Sequence, residues 1–270
     1  MKNLFGPIAK LMKKKLSIVK IGGNVINNSE ELDLFLYDFA QLDGLKILVH
    51  GGGRKATEMA DSLGLQPKLI GGRRVTDESN LEIVTMVYAG LLNKNIVAKL
   101  QKSGCNALGL SGADANVIRA HKRIIKDIDY GFAGDIDEVQ DQTIGLFLNS
   151  GLVPVFSAIT HDKQGQLLNT NADAIAAELA KGLSHDFEVE LVYCFEKNGV
   201  LKDVDNDDSV IEQIDMNAYE KLKEEGVIAE GMLPKMENCF NALQHGVYKV
   251  HIGKPEFISD KHIKHTTLML

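Results

Sequence analysis

Two short apolar runs, LSIVKI (16–21) and LKILVH (45–50), each stop directly on glycine, in VKIGGN and LVHGGG. Runs this short and this apolar suit strands buried on both faces, and such strands belong to parallel sheets covered by helices. Between them lies a helix signal. Ser29 reads as its cap, Glu30 and Glu31 fall in the first turn, and Leu32, Phe35, Leu36 and Phe39 recur at helical spacing before Gly44 ends it. Strand, glycine, helix, strand and glycine again is the rhythm of a βαβ unit, which commits the chain to an α/β architecture.

The rhythm continues. A second helix is expected from Gly53 to Leu63, with Ala56, Met59, Ala60 and Leu63 facing inward and Gly64 as the stop. A longer helix over 79–103 and a strand over 106–112 follow. Residues 117–140 interrupt the alternation with short runs around Tyr130–Gly131 and Gly134 that read as antiparallel ribbon. Next come a helix at TIGLFLNSG (143–151), a strand at LVPVFSAI (152–159) and an Ala-rich helix over 171–182 stopped at Gly182. The last unit is strand VELVYCF (189–195), loop EKNGVLKDVDNDDS (196–209), a helix, the segment GMLPKMENCFNALQHG (231–246) and strand VYKVHIG (247–253). The expected fold is α/β: an open αβα sandwich with a mostly parallel central sheet, in two lobes. A seam near 182–187 divides an N-terminal tail (1–15) and a first lobe (16–184) from a second lobe (185–270).

Composition narrows the function. A formal net charge of −7 argues against a surface that tracks nucleic-acid phosphates. Cys105, Cys194 and Cys239 are odd in number and show no CxxC or Cys/His ligand spacing, so neither a disulfide framework nor a zinc site is expected. A cytoplasmic protein with reduced thiols fits. The opening MKNLFGPIAKLMKKK is interrupted by Gly6, Pro7 and Lys10 and lacks the pattern of a signal peptide. It reads as a frayed basic tail, with a docking helix through Leu4, Ile8 and Leu11 as the alternative and Met12 as an alternative start. No segment approaches the roughly 20 apolar residues of a membrane helix.

In an open α/β sheet, ligands bind beyond the carboxyl ends of the strands, where both glycine clusters fall. Glycine lets backbone N–H groups approach a ligand, and a following helix N-terminus favours an anion. Neither a Walker A loop nor a full G-x-G-x-x-G occurs, GLSGAD (109–114) being one glycine short. Lys20 ends an apolar strand, where it serves an anion or snorkels from the strand end. Lys235 follows Pro234 and so enters the first turn of a helix, where a cation opposes the macrodipole unless Glu237 neutralises it or an anion sits there. Asn169 and Asn171 alternate along one side of an extended segment, and Asp173 falls in the first turn of the next helix, placed to orient lysines. Arg73 and Arg74 in GGRRVTD (71–77) suit carboxylate binding or are surface charge. Many cations and backbone donors with one organising acid, and no evident nucleophile or metal-ligand cluster, suit phosphoryl transfer.

The ordered set VKIGGN, LVHGGG, GGRRVTD, GQLLNTNADAIAAELA, KNGVL and GMLPKME resembles the amino-acid kinase superfamily, and within it the N-acetylglutamate kinases, over about residues 16–253. The resemblance implies ATP-dependent phosphorylation of the γ-carboxylate of an N-acylated glutamate in arginine synthesis. Mg²⁺ would arrive with ATP as part of the substrate complex, with no structural metal. It implies that Lys20 and Lys235 stabilise the transferring phosphoryl group and that Asp173 holds both lysines. Gly22, Gly23, Gly52 and Gly53 would donate N–H groups, Arg74 would bind the α-carboxylate, and Asn169 and Asn171 would bind the amide region. Glu196, Gly199, Gly231 and Met232 would line the nucleotide site. Arg54 stands where the family has proline, and Glu196 where it has aspartate. The short tail implies an arginine-insensitive homodimer. Arg54 and Arg73, as extra cations near the substrate loops, raise the expectation of a bulkier acidic acyl group such as succinyl. The rivals are a kinase of free glutamate or aspartate, and a non-catalytic amino-acid sensor on the same fold.

Overall fold

The computed structural model describes residues 13–125, 127–228, 232–260 and 262–270. The docking helix through Leu4, Ile8 and Leu11 and the alternative start at Met12 lie outside these residues.

The central sheet has eight strands. They are β1 (Lys14–Ile21), β2 (Leu45–His50), β5 (Ala107–Leu110), β8 (Val153–Ser157), β11 (Phe187–Cys194), β12 (Gln213–Ile214), β13 (Lys249–Gly253) and β14 (Thr266–Leu268), in the spatial order β12-β14-β13-β11-β1-β2-β8-β5. Every pairing is parallel except β13 with β14. β1 sits in the middle, and its residues from Ile18 to Ile21 are all buried, as a strand covered on both faces requires. From β1 the chain builds β2 on one side and, much later, β11 on the other, which opens a crevice at their carboxyl ends. The register places Lys20 beside Tyr193, and Ile21 between Cys194 and His50. The seam expected near 182–187 leaves one continuous sheet, because β11 pairs with β1 along its whole length.

Helices cover both faces. Helix α1 (Gly23–Asn27), α2 (Ser29–Gln41), α3 (Gly53–Ser62), α4 (Glu78–Val84) and α5 (Asn93–Lys102) form one group, and α6 (Asp141–Asn149), α7 (Ala172–Leu183) and α9 (Leu233–Gln244) another; α8 (Met216–Glu224) packs beside β12. Helix α2 buries Leu32, Phe35, Leu36 and Phe39 as expected. Its cap, however, is Asn28, whose Oδ1 accepts from the N–H groups of Glu30 and Glu31, and Ser29 is already inside the helix. Lys46 closes the other end, donating from Nζ to the carbonyls of Ala40 and Leu42 at 2.7 Å each. In α3, Ala56 and Ala60 are buried but Leu63 is 59% exposed, because the helix stops one residue before it.

Two features depart from simple alternation. Residues Glu78–Lys102 form one continuous 25-residue helix, close to the one expected over 79–103, and by length and composition it could reach across a membrane. It is a core helix: Leu81, Ile83, Val84, Val87, Tyr88, Leu92, Ile96 and Leu100 are buried against the sheet. Its middle, Thr85–Leu92, is a π-helix, a form rare at this length. The expected ribbon is present as β6 (Ile118–Lys122) and β7 (Ala133–Val139), which close with β9 (Ile159–His161) and β10 (Leu167–Thr170) into a four-stranded barrel. The barrel leaves no room at Gly134, where a Cβ would lie 2.6 Å from Thr170 Oγ1. A short hairpin, β3 (Leu69–Ile70) with β4 (Arg73–Arg74), stands apart.

Candidate active site

Three cavities gather at the carboxyl end of the sheet. The largest, about 710 Å³, is lined by Lys20, Gly22, Gly23, Arg54, Asp173, Glu196 and Lys235 among others. Around Asp173, the α7 N-terminus brings a carboxylate to the strand end because Asn171 caps the helix, accepting from the N–H groups of Asp173 (2.8 Å) and Ala174 (3.1 Å). Asp173 Oδ1 then lies 2.7 Å from Lys20 Nζ. The contact is an ion pair rather than an aligned hydrogen bond, for this oxygen is buried without a hydrogen-bond partner among the described residues. Lys20 is only 11% exposed at its side chain, so the carboxylate offsets much of the cost of holding its charge there.

Lys235 lines the same cavity. Helix α9 begins at Leu233 with Pro234 in its first turn, as the sequence predicts, and Lys235 falls there too. Its Nζ stands 4.4 Å from the centroid of the Phe195 ring. Among the described residues it makes no ion pair, either with Glu237 or with Asp173. Asp173 therefore holds one lysine, not both, in this arrangement.

The second cavity, about 190 Å³, is lined by Gly51–Gly53, Arg73, Arg74, Tyr88, Arg123, Asn169 and Asn171 among others. Gly52 adopts a φ of +156°, and a Cβ there would come 2.4 Å from Leu92 Cδ1 and 2.9 Å from Tyr88 Cδ1. Only glycine fits. Helix α3 starts at Gly53 with no side-chain cap and no acidic residue in its first turn, leaving N–H donors for an anion. Arg74 is buried and its Nη2 donates to Gly53 O (3.0 Å) and Thr57 Oγ1 (2.6 Å), so the guanidinium is pinned to the start of α3. Behind the loop, His50 Nδ1 bonds Gly51 O at 2.8 Å while Asn93 Nδ2 meets Nε2 at 3.1 Å and also donates to Val155 O. Full burial pushes the His50 imidazole down to about 4 and keeps it neutral. Asn169 donates from Nδ2 to Thr76 Oγ1 at 2.9 Å, and the Asn171 oxygen is taken by its cap, so the two amides share the cavity with part of their capacity already used.

The third cavity, about 460 Å³ and mostly apolar, is lined by Phe195, Glu196, Gly199, Val200, Leu201, Ile228 and Met232 among others. Gly199 also allows close packing, since a Cβ there would lie 2.5 Å from Thr266 Oγ1. Gly231 lies outside the described residues. Arg54 is corrected by the structure: it lines the largest cavity with the lysines, not the Arg74 cavity. Arg73 does line the second cavity, together with Arg123, whose charge is committed to Asp135 in a two-pronged pair.

Sequence reasoning does not single out Tyr88, Arg123 or Tyr130, all of which line the second cavity, and Phe195 enters that reasoning only within the FEKNGVL stretch that the resemblance assigns to the ATP site. Tyr88 and Phe195 sit at positions whose spacing reads as core. The two in the ribbon carry only the weak signal of an arginine and an aromatic beside glycine. Cys105, Cys194 and Cys239 are all free and buried; burial pushes the Cys194 and Cys239 thiols up to about 12.

Comparison with known proteins places this geometry. Residues 15–254 match the Amino acid kinase family. An acetylglutamate kinase of Cytophaga hutchinsonii is 54% identical over 244 residues, 90% of this chain and 92% of that protein. One from Bacteroides fragilis is 53% identical over 241 residues, 89% of this chain and 92% of that protein. Among solved structures, an N-acetylglutamate synthase from Neisseria gonorrhoeae complexed with coenzyme A and N-acetyl-glutamate shares the fold, with a TM-score of 0.78 at 22% identity over 96% of this chain and 60% of that one. The chain belongs to the amino acid kinase family and, within it, to the acetylglutamate kinases.

Proposed function

We propose that the chain catalyses ATP-dependent phosphorylation of the γ-carboxylate of N-acetyl-L-glutamate, a step of arginine biosynthesis, with the largest cavity and the Arg74 cavity as its site. The observation that carries this reading is the Lys20–Asp173 ion pair with Lys235 lining the same cavity, in a chain so similar to acetylglutamate kinases. Neighbouring residues line the two cavities, Gly53 and Ala172 the Arg74 cavity and Arg54 and Asp173 the largest, which supports a phosphoryl donor in one beside an acceptor in the other.

The roles follow from charge. An acceptor carboxylate oxygen forms the new bond to the γ-phosphorus, the bond from that phosphorus to the β,γ-bridging oxygen breaks, and ADP leaves with the electron pair. A carboxylate is already a nucleophile, so no general base is needed. Lys20 and Lys235 neutralise charge on the phosphoryl oxygens, and N–H groups of Gly22, Gly23, Gly52 and Gly53 add fixed donors. Arg74 takes the α-carboxylate, with Asn169 and Asn171 on the amide side. Mg²⁺ would enter with ATP as part of the substrate complex and supply positive charge at its phosphates. The apolar cavity with Glu196, Gly199 and Met232 suits the adenosine end, assigning 185–270 to the nucleotide and 16–184 to the acceptor. A cytoplasmic homodimer completes the reading; Met86 and Leu91, exposed on the long helix, support a self-contact that sedimentation would test.

A second reading, an N-succinyl acceptor, is favoured by Arg73 at the acceptor cavity. An ADP-release assay over N-acetylglutamate, N-succinylglutamate, glutamate and aspartate tests both. Highest kcat/KM with N-acetylglutamate supports the main reading, and highest with N-succinylglutamate the second. Preference for free glutamate or aspartate, or no turnover at all, sinks both.

A further inference from the structure

Phe195 follows the last residue of β11 and lines both the largest and the apolar cavity. Its ring centroid lies 4.4 Å from Lys235 Nζ and 5.7 Å from Lys20 Nζ, both within the roughly 6 Å over which an aromatic face attracts a cation. The same ring stacks on Tyr193, with centroids 5.9 Å apart and planes 8° from parallel. Tyr193 is itself buried, and its hydroxyl donates to the backbone carbonyl of Asp173 at 3.1 Å. One side chain at the strand end thus touches both cations, and its neighbour two residues back fixes the helix turn that carries their carboxylate.

Charge balance gives this contact a purpose. Lys20 has Asp173, whereas Lys235 has no ion-pair partner among the described residues and sits at a helix N-terminus that disfavours a cation. A second carboxylate would hold Lys235 but would repel the incoming phosphate. An aromatic face supplies diffuse negative potential with no net charge, holding an ammonium group without competing for it.

We propose that Phe195 is a positioning residue for phosphoryl transfer, its ring holding the ammonium groups of Lys235 and Lys20 for the reacting phosphoryl group. The proposal rests on the kinase reading above. It is tested by replacing Phe195 with 4-fluoro-, 3,5-difluoro- and 3,4,5-trifluorophenylalanine, which nearly preserve shape while withdrawing electron density from the ring. The expected result is a stepwise fall in kcat, about tenfold across the series, at unchanged acceptor KM. The fall should shrink in a Lys235→Met background. Phe195→Tyr should retain most of the activity and Phe195→Leu should lose it. A kcat that stays flat across the fluorinated series, while Lys235→Met is slow, overturns the role of Phe195 and leaves the kinase reading standing. Full kcat in Lys235→Met would overturn the kinase reading of the site, and this proposal with it.

Discussion

Lys20 Nζ stands 2.7 Å from Asp173 Oδ1, joining the penultimate residue of the central strand to the second residue of α7. The cap of that helix is Asn171, so the aspartate is free of any need to hold the helix start together. Asp173→Asn is therefore expected to keep the fold but to lower Tm by several degrees, because Lys20, 11% exposed, is left without the carboxylate that offsets its charge. Because Lys20 would lose its anchor, kcat should fall on the order of 10². Steady-state kinetics beside circular dichroism checks both halves.

Gly52 cannot be replaced without moving its neighbours. Alanine there meets an unfavourable φ and two side chains of the long helix, Leu92 and Tyr88. Strain of this kind costs about 1–3 kcal/mol. Gly52→Ala should lower Tm by several degrees and, by shifting the loop N–H groups, lower kcat as well. Thermal unfolding and turnover measured on the same preparation test this.

Part of this candidate site is legible in the sequence. An apolar run that stops on glycine marks a strand end, and a lysine beside it or in a first helical turn is costly enough to demand a reason. That reasoning singles out Lys20 and Lys235, which line one cavity together with Asp173. It failed where two explanations share one pattern. Asn28 and Ser29 are both good caps, and only backbone geometry chooses the asparagine. Tyr88 lies on a buried helical stripe and Phe195 ends a strand, so each reads as core. Helix α1 is five residues, too short to show a period. Arg54 adjoins the glycine loop and so reads with the acceptor residues, but the first turn of α3 brings it to the cavity lined by Lys20, Asp173 and Lys235.

Arg74 offers a planar fork pinned by Gly53 O and Thr57 Oγ1. Lysine keeps the charge but cannot hold two partners and a carboxylate together. Arg74→Lys should raise the acceptor KM about 10- to 100-fold, the range for losing a hydrogen bond to a charged group, with the ATP KM unchanged. Initial rates with each substrate varied in turn separate these effects.

Acid should weaken the fold through His50. Its imidazole is pushed down to about 4 in the folded chain by burial, against an ordinary value near 6.5. Between those values the unfolded chain binds a proton that the folded one does not, so stability falls as pH drops through this window and is fully retained above it. The contribution is up to about 1.4 kcal/mol per pH unit from this one group. Urea unfolding from pH 7.5 to 4.5 should show the decline, with a shallower slope in His50→Gln.

The claim at the centre is that two lysines from different elements, Lys20 and Lys235, neutralise a phosphoryl group in transfer. Lys235 is the sharper of the pair to test, because it has no ion pair among the described residues and opposes the dipole of its own helix. Removing it should not weaken the fold and should stabilise α9 slightly. The measurement is the single-turnover rate of acyl phosphate formation by Lys235→Met with saturating ATP and N-acetylglutamate. A rate lower by about 10² or more, with Tm unchanged or slightly raised, is the predicted result. An unchanged rate would remove Lys235 from the reaction and contradict the account.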